Sequence, residues 1–137
     1  MTIKDDVILW RSEKDSLSIF AVPTEQQYKY IDGLPCITFG ISYENADFKG
    51  YDTFTLFDHF YFNIINDIKT AYASLNGSFR IYDTGADTDG YIEFVMKNGI
   101  VFIKGQLGVS FTSHALIFEF EADQTVIGNL LQVIGLE

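Results

Sequence analysis

The sequence predicts an α+β fold: a single antiparallel, curved β-sheet with one long central helix and a short C-terminal helix. Three observations point there. Short β-rich runs occupy both halves of the chain. One 3.6-period apolar stripe interrupts them near the middle, and a second, shorter one closes the sequence. The order is strands, helix, strands, helix, without the regular βαβ alternation of a doubly wound sheet. At 137 residues the chain fits one domain, residues 1–137, with one core.

DVILW and SLSIFAV are β-rich runs separated by the polar RSEKD, the pattern of an N-terminal hairpin. From Pro23 to Pro35 turn residues accumulate without a sustained period, which predicts a loop. CITFGISY then alternates, with Ile37, Phe39, Ile41 and Tyr43 on one face and Cys36, Thr38, Gly40 and Ser42 on the other. The next segment, ENADFKGYDTFT, mixes acids with aromatics and reads equally as an irregular edge strand or a long loop.

A helix is predicted from about Asp58 to Asn76, with Phe57, Phe60, Tyr61, Ile64, Ile65, Ile68, Tyr72 and Leu75 as its inner stripe. Thr55 and Asp58 resemble a capping box, and Asn76-Gly77 supplies a left-handed stop. His59, Asn63, Asn66, Lys69 and Ser74 form the outer face, where Phe62 is an aromatic exception. After FRIYD, two strands meet at Asn98-Gly99, the residue pair of a type I′ hairpin. That turn sets Met96 against Val101, Phe94 against Ile103 and Glu93 against Lys104, and leaves Ile92, Phe94, Met96, Val101 and Ile103 on one core face. The glycines of GQLGVSFTS predict a bulge or turn before the strand ALIFEFE. Asp123 is placed to cap a last helix whose inner residues are Val126, Ile127, Leu130, Leu131 and Ile134.

Composition limits function. With 13 Phe, 8 Tyr and 1 Trp but only 2 Pro, the chain is too aromatic for a disordered protein. Nineteen acids against nine bases give a formal charge of −10, which repels phosphate backbones and anionic lipid and attracts basic partners. Neither nucleic-acid nor membrane binding is expected. A basic-then-apolar leader and a membrane-length apolar run are both missing from the sequence, and Cys36 is its single thiol, so a cytoplasmic location is expected.

The stretch DTGADTDG, Asp83 to Gly90, combines three carboxylates and two glycines with no basic residue among them. It fails the EF-hand pattern in either register: counting from Asp83 puts Gly85 at the third position and Phe94 at the twelfth, and counting from Gly85 leaves no acid at the first or last. The reading adopted is a connection between strands with its carboxylates in water, and an irregular calcium site of Asp83, Asp87 and Asp89 is the alternative. Cys36 sits among small residues as an inert buried thiol would. His59 reads as a surface residue in the first turn of a helix, while His114 precedes a strand. Glu119 and Glu121 alternate on an exposed strand face, and no glycine-rich phosphate loop occurs. Neither catalysis nor a metal or other cofactor is expected.

DGYIEFVMKNGIVFIKGQLG, a strand ending in FEFEADQT and the apolar helix IGNLLQVI together resemble the end of small acidic bacterial immunity proteins of the WapI type, in which a strand feeds an acidic DQ-type helix cap, here Asp123-Gln124. The resemblance covers Asp89 to Ile134. It implies a non-catalytic cytoplasmic protein that binds and neutralises a cognate protein toxin, which from the charge would be basic. Two acidic segments are the partner-binding expectations, one with Glu44, Asp47, Phe48, Tyr51 and Asp52, the other with Asp83, Asp87 and Asp89. The second functional class is a small-ligand or enzymatic domain with a pocket between sheet and long helix, lined by Tyr61, Tyr72, Tyr82 and Tyr91. A third is a homo-oligomer with Phe62 at its interface.

Overall fold

The Asn98-Gly99 turn is the most local determinant in the chain, and the computed structural model builds the second half of the fold around it. The structure describes residues 6–20, 22, 27–31, 33–85, 88–108 and 115–135. Asn98 and Gly99 have φ 51° and 81°, the left-handed pair that a type I′ turn requires. They join β7 (Tyr91–Lys97) to β8 (Ile100–Leu107) in the expected register, Met96 opposite Val101, Phe94 opposite Ile103 and Glu93 opposite Lys104. β6 (Gly77–Tyr82) and β9 (Leu116–Asp123) flank this hairpin, giving a four-stranded antiparallel sheet in the order β6-β7-β8-β9.

The first half forms a sheet of its own. β1 (Val7–Arg11) and β2 (Ser16–Phe20) are the expected hairpin, with an irregularity between Ile8 and Trp10. β4 (Leu34–Glu44) is the spine: β2 and β3 (Tyr28–Ile31) share one of its edges, and β5 (Lys49–Phe57) runs along the other. The fold is therefore α+β with two antiparallel sheets, and the single curved sheet expected from the sequence is corrected. Two further expectations change. YKYI, read as part of a loop, is β3, folded back on β4 by a turn at Gly33 with φ 80°. The segment from Lys49 onward is a regular strand paired with β4 from Glu44 back to Cys36.

The sheets and two helices share one core. Ile37, Phe39, Ile41, Phe54 and Leu56 of the first sheet, Ile81, Ile92, Phe94, Val101 and Ile103 of the second, and one face of each helix are buried together. Burying such side chains stabilises the fold by roughly 1.5–3 kcal/mol each before the entropy of ordering them is subtracted. Tyr43 links the sheets, its ring stacked on Phe118 at 4.3 Å and on Phe120 at 5.6 Å.

α1 (Asp58–Ser74) buries Tyr61, Ile64, Ile65, Ile68 and Ala71, while Tyr72 and Leu75, placed inward from the periodicity, are exposed. The capping box does not form: Phe57 is the N-cap without a side-chain bond, and the Thr55 hydroxyl pairs with that of Thr38 at 3.0 Å. The left-handed stop falls on Leu75 itself, φ 60°, rather than on Asn76-Gly77. The β7–β8 turn closes this helix end, since Gly99 N–H donates to the Leu75 carbonyl at 3.0 Å and Asn98 N–H to Asn76 Oδ1 at 3.2 Å. α2 (Thr125–Ile134) buries Val126, Ile127, Leu130 and Ile134. Asp123 Oδ1 accepts from Thr125 N–H at 2.9 Å, so it caps from one residue before the Gln124 N-cap.

Candidate partner-binding surface

The β4–β5 connection is built by one asparagine. Asn45 Oδ1 accepts the backbone N–H groups of Asp47 and Phe48 at 2.9 and 2.8 Å, and Asn45 N–H closes the turn on the Phe48 carbonyl at 2.9 Å. Its amide donates to the Tyr43 hydroxyl at 3.3 Å, and that hydroxyl donates to Asp15 Oδ1 in the β1–β2 turn. Two neighbouring turns are thus tied through a tyrosine whose ring lies in the core. Burial, first, and then the bond to Asp15 raise the Tyr43 phenol above its ordinary pKa.

On this braced hairpin Phe48 is 62% exposed and Tyr51 69%, with Glu44 and Asp47 also exposed. Tyr51 is steadied edge-on by Phe20 at 6.0 Å, and Glu44 meets Lys49 at 3.6 Å in solvent. Four of the five expected residues therefore form one outward patch. Asp52 does not belong to it: its Oδ2 accepts from Thr88 Oγ1–H at 2.8 Å and Gly108 N–H at 2.9 Å, turned toward the second sheet.

The opening of DTGADTDG is likewise inside the structure, which corrects the expectation of carboxylates in water. Asp83 is buried, its Oδ1 accepting Thr55 N–H at 2.8 Å and Gly85 N–H at 3.3 Å and its Oδ2 accepting Thr88 N–H at 3.3 Å. Thr84 continues the seam, with its N–H and hydroxyl donating to the Thr55 carbonyl at 3.0 and 2.7 Å and its Oγ1 accepting Phe57 N–H at 3.2 Å. Among the described strands β5 pairs only with β4, so these residues satisfy part of an edge that would otherwise face solvent unpaired. Gly90 is required where the chain passes Asp52, because a Cβ there would lie 2.3 Å from Asp52 Oδ2. Asp89 is exposed and accepts from Gln106 Nε2 at 3.1 Å, and Asp87 lies outside the described residues. The two acidic segments thus meet through Asp52 and Thr88. No signal within either segment shows this, because Thr55, which binds Asp83, and Thr88 and Gly108, which bind Asp52, are distant in sequence from the carboxylates they meet.

The other candidates fall elsewhere. Tyr61 is buried and donates to the Ile134 carbonyl. Tyr72 stands beside Gly128, and Tyr82 and Tyr91 pair on the outer face of the second sheet, so the four tyrosines line no common pocket. Depressions of about 650 and 370 Å³ lie on the outer faces of the first and second sheets respectively. Cys36 is buried, His59 is exposed against Phe60, and His114 lies outside the described residues. Among the described residues no group of three His, Cys, Asp or Glu is placed to hold a metal, and no helix is long and apolar enough to cross a membrane. No family model, curated protein or solved structure matches the chain.

Proposed function

We propose that this protein is an immunity protein that binds and neutralises a basic bacterial toxin domain, acting by occlusion without chemistry of its own. The observation that supports the reading is the braced β4–β5 hairpin, which presents Phe48 and Tyr51 beside Glu44 and Asp47 on a chain of net charge −10. Exposed aromatics supply the anchors that dominate binding energy, and surrounding carboxylates steer a basic partner and raise the association rate. A turn already fixed by Asn45 and Tyr43 loses little further entropy on docking. The resemblance of Asp89 to Ile134 to WapI-type immunity proteins points the same way, and a cytoplasmic site of action belongs to this proposal.

The test is co-expression with the toxin domain encoded by the neighbouring gene, scored by survival and co-purification. Phe48→Ala should weaken binding by roughly 2 kcal/mol or more, as central aromatic anchors do. Glu44→Gln with Asp47→Asn should slow association and flatten its dependence on salt. If the wild-type protein neither rescues growth nor co-purifies, the immunity reading fails.

A further inference from the structure

The outer face of the second sheet carries a row of alternating charge. Register places Arg80 beside Glu93, Glu93 beside Lys104 and Lys104 beside Glu119, one residue from each of the four strands. Arg80 is held over the Tyr91 ring at 3.8 Å, and Lys104 meets Glu93 at 3.8 Å. The flanking rows are largely apolar or aromatic: Tyr82, Tyr91, Gln106 and Ile117 on one side, Ser78, Val95, Phe102 and Glu121 on the other. Ile117 is 75% exposed and Phe102 44%.

This row reads plus, minus, plus, minus, so its reverse is its complement. We propose that the face binds a second copy of this chain, about a two-fold axis that runs parallel to the strands between β7 and β8. That rotation sets Arg80 of each copy opposite Glu119 of the other and Glu93 opposite Lys104, with Val95 over Phe102 and Tyr82 over Ile117. A two-fold along the row would instead stack Arg80 on Arg80, which charge forbids. The charge balance of the face points to self-association as well. Arg80, Lys97 and Lys104 against Glu93, Glu119, Glu121 and Asp123 give +3 − 4 = −1, while the whole chain carries −10. Two copies therefore meet here without the repulsion they would meet elsewhere. Four strands of about seven residues cover roughly 450 Å², about half of a standard interface per partner, so the association is weak and depends on concentration. The proposal is independent of the immunity reading, since the β4–β5 hairpin lies on the other sheet.

Sedimentation velocity from about 10 to about 500 µM should show a monomer–dimer equilibrium, weakened roughly tenfold or more by Lys104→Glu, which sets like charges against each other twice. The exchange Glu93→Lys with Lys104→Glu restores opposite charges across the interface and should restore the dimer. Circular dichroism of each variant confirms folding. Positions 80 and 119 lie three strands apart, roughly 14 Å, in one chain. A short bismaleimide should therefore join Arg80→Cys/Glu119→Cys molecules into covalent dimers and leave each single variant unjoined. A monomer throughout the range, a dimer indifferent to Lys104→Glu, or equal cross-linking of the single variants would overturn the proposal.

Discussion

The β4–β5 hairpin and the Asp83–Gly90 stretch are both acidic, turn-rich connections between antiparallel strands, yet they use their carboxylates in opposite ways. In the hairpin a neutral side chain, Asn45, accepts the backbone N–H groups of the turn, and Glu44 and Asp47 stay at the surface. In the second connection the acceptor is a carboxylate itself, Asp83 for Thr55, Gly85 and Thr88, and Asp52 of β5 behaves likewise, accepting from Thr88 and Gly108. An acid that completes the backbone's hydrogen bonds is held by the fold, and one whose turn is completed by a neighbour remains available to a partner. Charge density along a sequence does not distinguish the two.

The largest effect expected from this contrast is that of Asp83→Ala, which leaves three part-buried backbone donors without their acceptor and should cost about 2–4 kcal/mol in urea unfolding. The pair Glu44→Gln and Asp47→Asn should stay within about 0.5 kcal/mol of wild type, as exposed substitutions do. Equal losses would break the comparison. Tyr43→Phe, which keeps the stacked ring and deletes the hydroxyl bonded to Asp15, should cost about 1.5 kcal/mol near neutral pH. Because the folded phenol titrates above its unfolded value of 10.0, its contribution is complete below pH 10 and is lost as the pH rises through the folded pKa. Wild-type stability should therefore fall more steeply above pH 10 than that of Tyr43→Phe, and parallel curves would refute the assignment. Asp52→Asn keeps an acceptor but removes charge, and a loss of about 1 kcal/mol would sharpen the division inside the first segment. The smallest effect is a gain: Leu75→Gly relieves a left-handed leucine at an exposed helix end and should add about 0.5–1 kcal/mol by thermal unfolding.

Much of the fold was legible from local signals. Asn98-Gly99 gave register, the long 3.6-period run gave α1, and alternation gave the buried face of β4. What period cannot tell is what a buried face packs against, so the division into two sheets was invisible. β3 escaped because four residues between prolines are too few to establish a period. Short-range turn chemistry leaves Phe48, Glu44 and Asp47 exposed, with Tyr51 beside them, and such chemistry is legible locally. The surroundings of Asp83 and Asp52 are not, because Thr55 is 28 residues from Asp83 and Gly108 is 56 from Asp52. The failed capping box at Thr55 and Asp58 has a related cause: the Thr55 hydroxyl is turned to Thr38 and its backbone to Asp83 and Thr84.

The Asp83–Thr84 seam also bears on how the protein avoids aggregating. β5 is KGYDTFTLF, rich in aromatic and β-branched residues with few charges, the composition of a segment that recruits identical strands when its edge is open. With Thr55 and Phe57 bonded to Asp83 and Thr84, an incoming strand finds the donors and acceptor at the C-terminal end of that edge already taken. A chain that has lost Asp83 should accordingly form thioflavin-positive aggregates under mild warming, at temperatures where wild type stays dispersed. The acidic loop that fails the EF-hand pattern would then serve as a stopper on a sticky strand.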